Sequence, residues 1–295
     1  MKNPRQTGHG PRGASRPLDR YAVFGNPVAH SRSPQIHAAF ARATGERLRY
    51  EPRLAPLDGF AEAVRQFISG REGCAKGANV TAPFKEEAFR LADERTPRAL
   101  VAGAVNTLCF QDGRILGDNT DGAGLARDIT ENLAFSAAGG RILLLGAGGA
   151  ARGVVEALLA FSPAALVIAN RGADKAKALA SAFAGERLAP RGMGFAALAG
   201  EPAFDLVINA TSASLAGEAL PLPDGIFAAE SLAYDLMYGK GETPFLAQAR
   251  KGGAARRADG LGMLVEQAAE SFFVWRGKRP EAATRRSLMR QLRDT

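Results

Sequence analysis

Cysteine is scarce in this chain, and long apolar runs are missing. Only Cys74 and Cys109 occur in 295 residues, which excludes a disulfide framework and fits a reducing cytoplasm. No run approaches the roughly 20 apolar residues of a membrane span. Residues 1–17 are polar and lack the apolar centre of a secretory signal. We therefore expect a soluble cytoplasmic protein with no membrane role and a disordered extension over residues 1–18.

Histidine is also rare, and its positions argue against a metal centre. His9 lies in the polar extension, while His30 and His37 stand apart from any cysteine or acidic residue at ligand spacing. We expect no metal and no zinc-dependent chemistry.

The net charge of +8 raises the question of a nucleic-acid partner. The basic excess is confined to residues 1–20 and 250–295, and the chain between them is slightly acidic. No aromatic residues interleave with the N-terminal arginines, as a stacking platform for single strands would require. We interpret the excess as solvated charge and predict no specific nucleic-acid partner.

Short β-rich runs alternate with amphipathic stretches along the chain, which predicts parallel α/β sheets. "YAVF" and "ANVT" open a first series, and a second begins at "RILLLGAGGAARG". We predict two α/β domains separated by a cleft. A substrate-binding catalytic domain covers 19–121 and 260–295, and a Rossmann-like domain covers 122–259. In the returning segment, Leu264, Ala268 and Phe272 share one helix face, which indicates core.

Local signals predict where several elements begin or end. Ser33 and Asp121 are candidate N-caps, and Gly45 is a candidate helix stop. Asp112-Gly113 lies between two alternating runs, which predicts a hairpin.

The glycine-rich segment after "RILLL" is typical of a dinucleotide site. Gly146, Ala147, Gly148, Gly149 and Ala150 form a GxGxxA pattern with the next alanine, between a strand and a helix. The first glycine allows a tight turn, and the second lets a pyrophosphate approach the backbone. A helix N-terminus there offers N–H groups to the phosphates.

The next strand end indicates which dinucleotide is bound. NAD-binding versions hold an acidic residue there, whereas "ALVIAN" ends in Asn170, followed by Arg171 and, further on, Lys175. An amide and two cations suit a 2′-phosphate. We predict NADP, although a solvent-facing arginine at a strand end is an alternative that the dipeptide alone leaves open.

Reduction of a ketone with a nicotinamide requires a proton donor. Lys85 follows Pro83 at a predicted helix start, and Asp121 stands at another. Both would face the carboxyl ends of their strands, where open α/β sheets bind ligands. The spacing by itself leaves an ordinary surface ion pair open.

The chain resembles the shikimate dehydrogenase family. The resemblance covers about residues 21–279 and rests on ordered segments: "FGNPVAHSRSP", "GANVTAPFKEEAF", "GAVNTL", "GDNTDG", "GAGGAARG", "INATS", "YDLMYGKGETPFL" and "ADGLGMLVEQAA". It implies NADPH-dependent reduction of 3-dehydroshikimate to shikimate, on the route to chorismate and the aromatic amino acids.

The resemblance also implies site residues. Lys85 and Asp121 would be the catalytic pair. The substrate-binding residues would be Ser31, Ser33, Thr81, Asn106, Tyr238 and Gln267. On the cofactor side it adds Thr211, Leu236 and Gly260.

The chain departs from the family where the 2′-phosphate would bind. Gly172 stands where many members have threonine, and Lys175 where arginine is frequent, so about 1–3 kcal/mol of contact is lost if compensation is partial. A quinate/shikimate dehydrogenase that uses NAD therefore stays open, as does a catalytically idle dinucleotide sensor. A tRNA-dependent reductase would need a reactive cysteine, and Cys109 lies in an apolar strand. The sequence leaves a monomer and a homodimer open.

Overall fold

Two six-stranded sheets organise the part of the chain that the structure describes. The computed structural model describes residues 18–70, 73–185, 188–214 and 217–294. The predicted disordered extension lies, except for its last residue, outside the described residues. No helix in these ranges is long and apolar enough to cross a membrane.

The first sheet has the strand order β2-β1-β3-β5-β6-β4. Its strands are β1 (Asp19–Gly25), β2 (Leu48–Leu54), β3 (Cys74–Val80), β4 (Glu94–Arg95), β5 (Thr107–Gln111) and β6 (Arg114–Asp118). The helices between them are α1 (Ser33–Thr44), α2 (Phe60–Ser69), α3 (Lys85–Leu91) and α4 (Pro97–Ala102).

This first sheet is mixed, because antiparallel pairs at the predicted hairpin strand join the parallel ones. Strand β5 runs antiparallel to both β3 and β6. The predicted hairpin is the reason: Asp112 and Gly113 have φ values of 52° and 76°. A two-residue turn of this kind connects only antiparallel strands.

The second sheet has the order β12-β11-β10-β7-β8-β9 and is parallel throughout. Its strands are β7 (Arg141–Leu145), β8 (Ala165–Asn170), β9 (Arg191–Gly194), β10 (Phe204–Asn209), β11 (Phe227–Asp235) and β12 (Arg256–Ala258). Around them lie α5 (Asp121–Arg127), α6 (Gly149–Arg152), α7 (Val155–Ala160), α8 (Ala173–Ala182) and α9 (Pro244–Lys251). The predicted fold class, two α/β domains with mostly parallel sheets, is confirmed.

Two terminal helices return to the first sheet. They are α10 (Leu261–Arg276) and α11 (Ala282–Arg293), and both pack against α1 in one apolar cluster. Ala268 and Phe272 are fully buried there and Leu264 packs beside them, which confirms the predicted core stripe. This packing supports our division of the chain into domains, which we keep as a proposal.

Two predicted helix starts are wrong. Helix α1 begins at Ser33 and α5 begins at Asp121, so each side chain stands one position inside its helix rather than at the cap. The helix after the glycine loop is interrupted at Gly153 and Val154. The predicted stop at Gly45 is confirmed by its left-handed φ of 70°.

Candidate active site

Lys85 and Asp121 meet between the two sheets. The Lys85 Nζ lies 2.5 Å from the Asp121 Oδ2, and the side chains are only 19% and 6% exposed. Each is the first residue of its helix, α3 or α5. A partly buried ammonium held by a carboxylate at this distance is a charged hydrogen bond, unlike the solvated surface pair that the spacing had left open.

The other atoms of Asp121 are held by neighbouring amides. The Asn106 Nδ2 donates to the Asp121 Oδ1 at 2.8 Å. The backbone N–H of Asp121 donates to the Asn119 Oδ1 at 3.1 Å, and the Asn119 Nδ2 donates to the Ala104 carbonyl. These contacts fix the carboxylate, so Oδ2 stays directed at Lys85.

A cluster of buried hydroxyls lies beside Asp121, and sequence reasoning missed it. Thr107, Thr120 and Ser271 are fully buried, with oxygen–oxygen distances of 2.8–3.4 Å. Gln267 joins them, because its Oε1 accepts from Thr120 at 3.3 Å and from Asn106 at 3.4 Å. Thr107 and Thr120 sit inside the quoted "VNTL" and "DNTD" segments, a signal that was available, whereas nothing in the sequence marked Ser271.

The remaining predicted substrate residues lie in the segments that follow β1, β3 and β11. Ser33 is buried, and its N–H donates to the Ser31 Oγ at 3.3 Å. Burial raises the pKa of Tyr238, and the Arg32 guanidinium opposes that shift. Thr81 follows β3, and its methyl group leaves no room for a side chain at Gly25.

The glycine loop has the shape that a dinucleotide requires. Gly146 has a φ of 112°, and a Cβ there would lie 3.0 Å from the Ala210 carbonyl oxygen, so only glycine fits. A Cβ on Gly148 would meet nothing within 4 Å, while one on Gly149 would lie 4.0 Å from the Lys85 Cβ. The glycine loop, predicted to bind the pyrophosphate, therefore lies next to Lys85 at Gly149.

The residues predicted to select the dinucleotide lie at the carboxyl end of β8. Arg171 and Lys175 are both exposed there. The Asn170 side chain donates to the Gly172 carbonyl at 3.1 Å, which closes the turn after the strand. The two cations are accessible to a phosphate group at this end of the sheet. In the glycine loop, Ala147 and Ala150 pack against the hydrophobic core of the second sheet.

A second buried carboxylate, Asp235, links the ends of β10 and β11 by hydrogen bonds. Sequence reasoning missed this residue too. Asp235 is fully buried; its Oδ1 accepts from Asn209 at 3.0 Å, and its Oδ2 accepts from Thr243 at 2.6 Å. Burial raises its pKa, and these hydrogen bonds offset part of that shift. The Asn209 Oδ1 in turn accepts from the backbone N–H and the hydroxyl of Thr211.

Leu236 and Gly260 lie against each other at this end of the second sheet. A Cβ on Gly260 would be 2.2 Å from the Leu236 carbonyl oxygen, so position 260 excludes any side chain. The N–H of Leu236 donates to the Asn209 carbonyl, which ties both residues to the network around Asp235.

Family models of known proteins match this chain in order along the sequence. Three family models match: "Shikimate dehydrogenase substrate binding domain" at residues 23–108, "Shikimate / quinate 5-dehydrogenase" at 125–216, and "Shikimate 5'-dehydrogenase C-terminal domain" at 260–291. A shikimate dehydrogenase (NADP(+)) from Dechloromonas aromatica (strain RCB) is 68% identical over 266 residues, covering 90% of this chain and 95% of the relative.

Solved structures of other proteins have a fold similar to that of this chain. An Ael1 enzyme from Pseudomonas putida is 52% identical with a TM-score of 0.84, covering 93% of this chain and 98% of that one. Shikimate 5-dehydrogenase from Thermus thermophilus, in complex with NADP(H) and shikimate, is 33% identical with a TM-score of 0.80, covering 93% and 99%.

The fold and the site together define a two-domain, dinucleotide-dependent oxidoreductase. The chain belongs to the shikimate dehydrogenase family, as the resemblance implied.

Proposed function

We propose that this protein catalyses the reversible, NADPH-dependent reduction of 3-dehydroshikimate to shikimate, in the route to chorismate and the aromatic amino acids. The observation that carries the proposal is the Lys85–Asp121 pair, 2.5 Å apart and largely buried, with Lys85 next to Gly149 of the glycine loop. The family relatives named for shikimate and NADP(+) support the choice of substrate and cofactor.

The bound nicotinamide would supply a hydride to the carbonyl carbon. Lys85 gives its proton from Nζ to the carbonyl oxygen, which becomes the new hydroxyl, and the amine regains a proton from solvent after product release. In the oxidative direction the same amine takes the proton from the hydroxyl. Because the Lys85 side chain is 19% exposed, this exchange with solvent is open to it.

Asp121 orients the ammonium group of Lys85 through Oδ2. Its Oδ1, already bonded to Asn106, lies on the side of the buried hydroxyl cluster and can accept from a ring hydroxyl of the substrate. A carboxylate that faces both groups holds the proton donor and the substrate in register, which is the positioning that lowers the barrier of such steps.

The substrate carboxylate would lie near Ser31, Ser33 and Tyr238. The Ser31 Oγ accepts from the Ser33 N–H, so the Ser31 hydroxyl proton is available to an anion. Thr81 and Gln267, with Asn106, are assigned to the ring hydroxyls.

NADP would be held by two groups of residues. Gly146, Ala147, Gly148, Gly149 and Ala150 would carry the pyrophosphate, and Thr211, Leu236 and Gly260 would border the nicotinamide side. Asn170, Arg171 and Lys175 would hold the 2′-phosphate, which is consistent with the exposure of the two cations beyond β8.

The proposal also covers the cellular location and the oligomeric state. Cys74 and Cys109 are free thiols, which supports a cytoplasmic location, and we assign no specific nucleic-acid partner. A homodimer stays a prediction; sedimentation velocity would test it by comparing the particle mass with the 31.0 kDa chain.

Steady-state kinetics of the purified protein test the proposed function. Shikimate and quinate are each paired with NADP⁺ and NAD⁺. We expect kcat/KM to be highest, by at least about 10-fold, for shikimate with NADP⁺, because Arg171 favours a 2′-phosphate. A preference for quinate or for NAD⁺ would favour the quinate/shikimate dehydrogenase alternative, and no turnover with any pair would favour an idle sensor.

A further inference from the structure

Tyr50 lies on β2, at the edge of the first sheet, outside the residues assigned so far. Its Cα pairs in register with Tyr21 of β1. The Tyr50 ring stacks on the buried His37 ring, with centroids 4.3 Å apart and planes 12° apart. This stack fixes the plane of the phenol and directs its hydroxyl toward the interior.

The Tyr50 hydroxyl is bonded to Asn79 on β3. It donates to the Asn79 Oδ1 at 2.8 Å. The Asn79 Nδ2 lies within hydrogen-bond distance of the Asn106 carbonyl at 3.2 Å, the Thr107 Oγ1 at 3.2 Å and the Ser271 Oγ at 2.9 Å. Because an amide carries its acceptor and its donors on opposite sides, the phenol determines which way Asn79 faces.

The contacts of Asn79 continue to the catalytic carboxylate. Ser271 lies 3.1 Å from the Thr120 hydroxyl, and Thr120 directly precedes Asp121. Asn106, whose carbonyl meets Asn79, bonds to the Asp121 Oδ1 through its side chain. A displaced Asn79 would therefore disturb Asp121 by two routes.

The Tyr50 phenol stays protonated beside Asn79. Burial raises the pKa of Tyr50 well above its ordinary value. The phenol is therefore neutral and keeps its proton for the Asn79 Oδ1.

We propose that Tyr50 is a positioning residue that fixes the orientation of Asn79 and, through Asn79, the position of Asp121. The proposal rests on the proposed function, because that function places the substrate against Asp121. Tyr50 does not itself react: its hydroxyl is already engaged by Asn79.

The test compares Tyr50→Phe with Tyr21→Phe. Both lose a hydroxyl from neighbouring positions of one sheet, but the Tyr21 hydroxyl meets Arg276 at 3.3 Å instead. For Tyr50→Phe we expect kcat/KM for shikimate to fall about 10-fold with KM for NADP⁺ unchanged, since one buried hydrogen bond is lost at the substrate end only. Tyr21→Phe should stay within about 2-fold of the parent.

A double-mutant cycle with Asn79→Ala separates positioning from general stability. Asn79→Ala alone should lower kcat/KM at least as much as Tyr50→Phe, and adding Tyr50→Phe to it should change kcat/KM by less than about 2-fold. Melting temperatures are measured for all variants, and the kinetics are taken well below the lowest one.

Several results would overturn the proposal. They are an unchanged kcat/KM in Tyr50→Phe or in Asn79→Ala, an equal loss in Tyr21→Phe, and a full further loss when Tyr50→Phe is added to Asn79→Ala. Failure of the proposed function is seen separately, because the parent enzyme would then not reduce NADP⁺ with shikimate at all.

Discussion

Replacing Lys85 with methionine removes the proposed proton donor while keeping most of the side-chain volume. The Lys85 Nζ lies 2.5 Å from the Asp121 Oδ2, and it is partly exposed. Water could reach the vacated position but would be a weaker, unheld acid. General acid–base groups contribute about 10²–10⁴-fold. We therefore expect kcat to fall by at least about 10²-fold, with KM for shikimate changed much less.

The assay follows NADPH formation by absorbance with saturating NADP⁺ and varied shikimate. Lys177→Met is the matched control, because Lys177 is 64% exposed and pairs only loosely, at 3.8 Å, with Asp174; it should match the parent. Asp121 keeps its bond to Asn106 in the Lys85 variant, so circular dichroism should show an intact fold. Turnover within about 10-fold of the parent would reduce Lys85 to a binding residue and refute the mechanism.

Three further predictions concern the cofactor site and stability. Arg171→Ala should raise KM for NADPH about 10-fold and leave KM for NADH unchanged, and equal effects on both would remove the 2′-phosphate assignment. Gly148→Ala should raise KM for NADP⁺ about 10-fold or more with an unchanged melting temperature, since its Cβ meets no protein atom within 4 Å; normal cofactor binding would contradict this placement of the pyrophosphate. Burial lowers the pKa of His37 from 6.5 to about 3, so the folded chain binds fewer protons than the unfolded chain between these values. The neutral His37 ring contributes to stability above pH 6.5, and this contribution is lost as pH falls toward 3. The free energy of unfolding should therefore drop by roughly 4–5 kcal/mol over this range. His37→Phe should lack that drop in urea titrations, and an identical pH profile would be evidence against a neutral buried ring.

The local patterns that the sequence predicted well depend on neighbours in the chain. The Asp112-Gly113 hairpin and the stop at Gly45 follow from the left-handed φ angles that such residues tolerate. The glycine loop behaves similarly, because a strand, a tight turn and a helix start all lie within one short segment.

The misplaced helix starts show where local reasoning fails. Asp121 has the right chemistry for an N-cap, but its carboxylate is taken by Lys85 and Asn106. Its position one residue inside α5 serves that pair rather than the helix end. A capping preference is worth about 1 kcal/mol, which competing charged hydrogen bonds readily outweigh.

The sequence by itself predicted the two α/β units, the glycine loop and the two side chains that we propose as the catalytic pair. Only the tertiary structure decided that the Lys85 and Asp121 side chains touch, and that Asn79 meets Ser271 across 192 residues of chain. Hydrogen bonds between groups so far apart depend on how sheets and helices pack. Composition and spacing record which groups are available, whereas the fold decides which of them meet.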